Sequence, residues 1–328
     1  MLFYILRRVV SAISVVFVTL VASYALFLLA PTDPAGSICG PKCTPDRVAE
    51  ITKSLNLDEP PLEQIGSYLK GIVVGRDIEA GGTLRHCPVP CLGYSFPTGQ
   101  PVTKILVTAL PVTLSIVLGG SIIYATVGLL TGTLAARYRS STLDRIAVST
   151  SLVVNSVPYF VVALLVALYL ADGGLLPRPA WHSFSSNPLA WATGMLAAWL
   201  TLGLTNAAAY TRYSRASMIE SLSQDFVRTA RSKGISERRV VYRHGVRAAL
   251  SPVVTILGLD IAYQFVNTLF TESIFGLPGL GVMTLRAFAQ YDLPVLLGSV
   301  IIGAVILVVM NLIVDIIYTV LDPRVRLG

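Results

Sequence analysis

The stretch RTARSKGISERRVVYRHGVRAAL, from Arg228 to Leu250, sets seven lysines or arginines against one acid. It lies between two long apolar runs, and Gly234 falls inside it. Its residue order predicts a helix, a corner and a second helix. Ser223 suits an N-cap, and Asp225 places negative charge in the first turn, where the helix dipole favours it. Phe226 and Ala230 fall four apart on one face. Arg228, Arg231, Ser232 and Lys233 close the helix, with the positive charge at its C-terminal end. Gly234 takes the C′ position, where a left-handed conformation ends the helix, and Ile235 follows as the apolar residue beyond it. Ser236 then caps a second helix that starts at Glu237 and runs through Val240, Val241 and Val246 towards Leu250. A loop that only holds charge against anionic lipid needs no such shape. A basic, capped corner is the form of a knob that docks a soluble partner.

The rest of the chain places that knob at a membrane. Of 328 residues, 54% are hydrophobic and 13% charged, far more apolar than a soluble domain requires. The net charge of +7 has neither the aromatic interleaving nor the zinc-finger spacing of a nucleic-acid binder, so nucleic acid is not an expected partner. Six apolar runs are long enough to cross a bilayer: Val9–Ala30, Ile105–Ala136, Ile146–Ala171, Leu189–Tyr210, Leu250–Phe275 and Val295–Leu321. With the N-terminus cytoplasmic, 16 of the 25 lysines and arginines fall inside and nine outside. Most of the nine lie in one long loop, which weighs little in the positive-inside rule. Both termini are therefore expected in the cytoplasm. The first run exceeds a signal-peptide core and has no clear small-residue cleavage site, so it reads as an anchor. The expected fold is an all-α membrane protein of six spans. It divides into residues 1–30, an extracytoplasmic insertion at 31–101 and a core at 102–328, with the basic element at 220–248.

The insertion reads as a small folded cap. Thr44 or Asp46 suits a first helix, Pro60–Pro61 breaks it, and Ile65, Tyr68, Leu69 and Ile72 share one face of a second. All four cysteines, Cys39, Cys43, Cys87 and Cys91, lie here. An even number on the outer side reads as two disulfides in an oxidising compartment, stapling a domain with little core. The two C-x3-C pairs, one beside His86, also admit a metal, although zinc prefers other spacings. No metal site is expected.

The basic element and its continuation, RTARSKGISERRVVYRHGVRAALSPVV, resemble the EAA-type motif of ABC-importer permeases. The form is that of the B-type subunits of dipeptide and oligopeptide importers, the DppB/OppB family. The N-terminal segment MLFYILRRVVSAISVVFVTLVASYALFLLAPTDPA resembles the same family. So does the C-terminal third, with its F-G-x-P-G-L-G turn at Phe275–Gly281 and D-P-R-x-R at Asp322–Arg326. The likeness covers nearly the whole chain and is weakest over the cysteine-bearing loop. Arg228 and Thr229 stand where the general motif has Glu-Ala, and His244–Arg247 stand where it has an apolar-x-Leu-Pro group. Ala230 and Gly234 match directly.

The resemblance implies a type I importer-permease fold in a bacterial plasma membrane. It implies a homologous second permease subunit in a heterodimer, two cytoplasmic ATPase subunits, an outer substrate-binding protein and a peptide solute. The helix ending at Gly234 would be the coupling element. ATP and magnesium would sit on the partner ATPases. This chain has no G-x-x-x-x-G-K-[ST] phosphate loop and no expected cofactor or catalytic site. Nickel complexes, glutathione and haem are solutes of related importers. A secondary transporter is the remaining alternative, but the expected inverted repeat of broken helices is not visible.

Polar residues within the apolar runs are candidates for the path, because polarity in lipid is costly and faces an interior. These are Asn155, Asp260, Gln264 and Asn267. Asp260 and Gln264 fall on one helix face, and for Asp260 a hydrogen bond to the sister subunit fits equally well. The turn through Phe275, Gly276, Pro278 and Gly279 reads either as part of an outer gate or as an ordinary turn.

Overall fold

A computed structural model describes residues 2–29, 34–39, 44–54, 58–80 and 83–321. Lys42, Cys43 and the Asp322–Arg326 motif lie outside them. The chain divides into two compact units, Met1–Pro111 with Pro278–Val308, and Val112–Leu277 with Val309–Gly328.

The first unit opens with helix α1 (Leu2–Leu29), then α2 (Pro34–Cys39), α3 (Pro45–Ser54) and α4 (Pro61–Val74). Pro60 sits at the N-cap of α4 and Pro61 starts it, because proline lacks only an N–H that a first turn cannot use. The face read from the sequence is the one that packs. Tyr68 is buried against Leu20, Tyr24 and Leu297, flanked by Ile65, Leu69 and Ile72. The Tyr24 and Tyr68 rings lie 5.4 Å apart, and the Arg76 guanidinium sits 5.2 Å above the Tyr68 ring. An antiparallel hairpin follows, β1 (Arg76–Ala80) and β2 (Thr83–Cys87), with Arg76 opposite Cys87 and Ala80 opposite Thr83. Cys87 and Cys91 form a disulfide with Cα atoms 5.4 Å apart. With Ile78 and Tyr94 they make a small core. The same unit takes the first turns of α5 (Val102–Arg137) and the start of α13 (Leu293–Leu321). Between these last two in chain order come α6 to α12, of which α12 (Leu280–Ala289) belongs to this unit.

The second unit holds the rest of α5, then α6 (Thr142–Ser156), α7 (Tyr159–Leu165, prolonged by a π turn to Ala171), α8 (Pro188–Leu222), α9 (Asp225–Ser232), the single turn α10 (Glu237–Arg239) and α11 (Val246–Ile274). A π turn, Val240–Gly245, joins α10 to α11. Helices α5 and α8 approach backbone to backbone at Gly128, where a Cβ would collide with Tyr210; close approach through small residues is a common way for helices to associate in lipid. Trp199 Nε1 donates to the Ser115 carbonyl at 2.7 Å across the same seam. Ser217 and Ser221 of α8 donate to the carbonyls of Ala249 and Gly245, at 3.0 and 2.9 Å.

Among the described residues, four helices are long and apolar enough to cross a membrane: Val102–Arg137, Pro188–Ser223, Glu237–Phe265 and Leu293–Ile313. The third apolar run, expected as one span, is two helices bent by 93° at Val157–Pro158. The cause is local. Pro158 disfavours the helical region for the residue before it, and Val157 is extended at φ −91°, ψ 126°.

Candidate functional site

The basic corner is built by a complete Schellman closure. Gly234 has φ +71°. Its N–H donates to Arg231 O at 3.0 Å, and the Ile235 N–H donates to Ala230 O at 3.3 Å. These bonds satisfy carbonyls that the end of α9 would otherwise leave open. Ile235 and Leu222 pack on Val227, Ala230 and Val240, the apolar base of the corner. Across the corner Arg231 forks onto Glu237, Nη2 to Oε1 at 2.7 Å and Nε to Oε2 at 3.1 Å. Arg228, Arg231, Ser232, Lys233, Gly234, Ser236, Glu237, Arg238, Arg239, Arg243 and Arg247 are all exposed. The seven cations thus form a surface on an apolar footing.

Two local expectations change. Ser223 does not cap α9; it ends α8, its Oγ donating to Glu220 O at 2.7 Å, and Gln224 holds the N-cap. The buried face of α9 is Val227 and Ala230, while Phe226 is 47% exposed. Spacing alone pairs Phe226 with Ala230, but Val227 at i, i+3 from Ala230 wins the core.

The polar residues of the apolar runs separate into two groups. Asn155, Gln264 and Asn267 come together in a cleft of about 400 Å³ between α6, α8 and α11, with Asn206, Tyr159 and Tyr263. Asp260 does not line it. Its Oδ2 accepts from Tyr210 Oη at 2.7 Å, and the Tyr210 ring lies 4.7 Å from that of Tyr124. Asn206 and Tyr263 were not singled out in the sequence; Asn206 sits in a run of small residues, and tyrosine in an apolar helix ordinarily reads as core.

The Phe275 turn is a second Schellman closure. Gly276 has φ +64°, and the Leu277 N–H donates to Glu272 O at 2.8 Å. Phe275 and Leu277 are buried with Val112 and Ile116. Glu272, fully buried, accepts from Thr113 Oγ1 at 2.6 Å. Pro278 and Gly279 belong to the other unit, where Gly279 precedes α12. In the 31–101 segment Cys87 pairs with Cys91 and Cys39 is also disulfide-bonded. Exposed His86 meets Asp77 at 2.8 Å. Among the described residues no group of three His, Cys, Asp or Glu could hold a metal ion.

Long apolar helices, a broken pair and a basic helical corner define a multi-pass membrane protein with the architecture of an ABC-transporter permease. In fold it is similar to a permease chain of the MetNI methionine ABC transporter in its inward-facing conformation, with a TM-score of 0.54 at 17% identity, over 67% of this chain and 97% of that one. Residues 128–327 match the family described as binding-protein-dependent transport system inner membrane component, and residues 1–117 match the N-terminal region of such components. The chain belongs to this family. A Brucella abortus protein that carries the name of a peptide transport system permease is 36% identical over 98% of both chains. The dipeptide transport system permease of Lactococcus lactis is 32% identical over 99% of both. The glutathione transport system permease of Escherichia coli is 29% identical, also over 99% of both.

Proposed function

We propose that this chain is the transmembrane permease subunit of an ATP-driven peptide importer, one half of the path, working with a homologous second permease. One of the importer's two cytoplasmic ATPases docks on the Gly234 corner, and an outer binding protein delivers the solute. The chain crosses the bacterial plasma membrane six times with both termini inside, the 31–101 segment outside, and no catalytic centre of its own. α1 and the bent α6–α7 pair then complete the six. The observation that carries the reading is the corner: a closed helix end, an apolar footing, seven exposed cations and an exposed aromatic, Phe226. A surface that combines an exposed aromatic with arginines has the composition of a protein interface, not of a lipid-facing loop. ATP-driven closure of the ATPases would move such a knob as a rigid body.

Three features support the peptide solute. The relatives are named for peptides, dipeptides and glutathione, all amide-linked. The polar part of the cleft's lining is amides and phenols with one threonine hydroxyl. The cleft also has no His, Cys, Asp or Glu among its lining residues, so it lacks the imidazole, thiolate and carboxylate groups that bind nickel.

The test is recovery of partners from mild detergent with the tagged chain, for the parent, Gly234→Pro and Lys233→Glu. The expected result is an ATPase pair and a sister permease with the parent, and loss of the ATPase but not of the sister with Gly234→Pro. Recovery of no ATPase, or equal recovery with all three, would make the corner a lipid-facing basic surface.

A further inference from the structure

Among the polar residues that line the cleft between α6, α8 and α11, Gln264 is the buried one. Asn206 Nδ2 donates to Leu202 O at 2.8 Å, and Asn267 Nδ2 donates to Tyr263 O at 3.1 Å. Each uses one donor on its own helix and keeps its carbonyl oxygen as an acceptor. Gln264 is 9% exposed, lines the cleft, and makes no side-chain hydrogen bond with any described residue. Its amide opens onto the cleft and is not sealed inside the fold, and a carboxamide without a partner in a membrane helix has little bulk water to fall back on. Its unused atoms are one carbonyl acceptor and two N–H donors. The group that satisfies such a carboxamide reciprocally is another amide.

The rest of the lining agrees. No Asp, Glu, Lys, Arg or His is among the lining residues, and the acid one turn away, Asp260, is held by Tyr210. A charged terminus placed here would lose its hydration and gain no counter-charge. A volume of about 400 Å³ lies within the range of small-ligand sites. We infer that this cleft is a subsite for the uncharged main chain of the peptide, with Gln264 pairing with an internal peptide group and the termini lying outside it. The inference rests on the peptide-importer reading and adds which part of the solute is recognised. Gln264 is then a specificity-determining residue for the amide bond and indifferent to side chain.

The experiment is a cycle between residue and solute. The complete importer, with its sister permease, ATPases and binding protein, is reconstituted in vesicles with the parent or the Gln264→Leu chain. Uptake is measured for tetra-alanine and for tetra-alanine methylated on its internal amide nitrogens. Delivery by the binding protein is common to both chains and cancels in the comparison. The expected result is a roughly three- to tenfold rise in KM for tetra-alanine with Gln264→Leu, the size of one lost hydrogen bond, and no such rise for the methylated peptide. Gln264→Asn is expected to fall between the two. Equal penalties on both peptides, or none on either, would overturn the inference. Loss of the sister permease with both Gln264→Leu and Gln264→Asn would overturn it too, making the cleft a subunit contact. If the assembled parent imports no peptide, the solute reading itself falls and takes this subsite with it.

Discussion

Arg231 and Glu237 meet across the Gly234 corner in a two-bond fork, at 2.7 and 3.1 Å, with side chains 43% and 53% exposed. At that exposure the pair adds at most about 1 kcal/mol to stability. Its consequence is shape: it fixes where α10 starts relative to the end of α9, and so how the cations are spaced.

Glu237→Lys should therefore separate stability from docking. The thermal midpoint in detergent is expected to stay within about 4 °C of the parent. ATPase recovery is expected to drop severalfold, because Arg231 would then face a second cation, and their repulsion would open the corner. Glu237→Gln keeps an acceptor for Arg231 and should behave nearly as the parent. A large fall in midpoint with Glu237→Lys would show that the fork stabilises the fold.

At Gly234 nothing lies within 4 Å of where a Cβ would be, and φ is +71°. A substitution there is penalised only by backbone conformation, about 1–2 kcal/mol for most L-residues. Gly234→Asn, which tolerates the left-handed region, should retain ATPase recovery. Gly234→Val, β-branched, should lose most of it. Equal recovery with both would mean that the corner refolds around the side chain.

The corner was legible because its signals are local. Gly234, the apolar Ile235 beyond it and the Glu237 start are adjacent in sequence, and the Schellman closure uses only neighbours. The Ile65–Tyr68–Leu69–Ile72 face was legible from its period. The 93° bend was also written locally, in Pro158, but averaging hydropathy over the third run conceals a single proline. The β1–β2 hairpin lay behind Gly81–Gly82, a hairpin dipeptide between two short alternating segments, in a loop read for helices. What no local signal carried is pairing at a distance. Arg215, read as one more cytoplasmic charge, forks onto Asp144 at 2.5 and 2.9 Å. Trp199 finds Ser115, and Asp260 finds Tyr210. These depend on how α5, α6, α8 and α11 pack, which one sequence does not state.

The Cys87–Cys91 bond joins residues four apart, so the chain-entropy gain is small, about 2 kcal/mol. Yet it sits in a core of few residues, with Ile78 and Tyr94. Replacing both cysteines by serine is expected to expose the hairpin to protease under conditions that leave the parent intact, with little change in the thermal midpoint of the spans. Reductant on the parent should reproduce the new cleavage. An unchanged digestion pattern would show that the hairpin stands without its staple.

Asp292, 4% exposed, joins the 95–96 segment to the start of α13. It accepts from Ser95 Oγ at 2.5 Å and from the Phe96 N–H at 3.3 Å. Burial raises its carboxyl above the ordinary value of 3.8, against the lowering effect of these bonds and of the Val295 N–H. The folded protein therefore holds this proton more tightly than the unfolded chain does. Its contribution is full below the unfolded value and is lost as pH rises from 3.8 through the raised one. Asp292→Asn keeps an acceptor for Phe96 and can donate to Ser95 Oγ. Thermal midpoints across that window should lose this pH dependence in the variant, and near neutral pH the variant should be at least as stable as the parent. A variant less stable at neutral pH would show that the charged cap is worth more than its burial costs.

Asp260 and Gln264 lie one turn apart on α11, yet only Asp260 is engaged, by a Tyr210 hydroxyl whose residue is 2% exposed. Removing the acceptor by Asp260→Leu strands that hydroxyl. Hydrogen bonds between membrane helices average about 0.6 kcal/mol and reach about 1.7, and a buried group left without a partner costs more than the bond contributed. Asp260→Leu should therefore lower the thermal midpoint clearly, and Tyr210→Phe added to it should restore much of the loss, since both polar partners are then gone. In the reconstituted importer the double variant should carry tetra-alanine with the parent's KM, whereas Gln264→Leu should not. A KM raised by the double variant would put Asp260 on the solute, and the division of α11 into a structural acid and a recognising amide would fail.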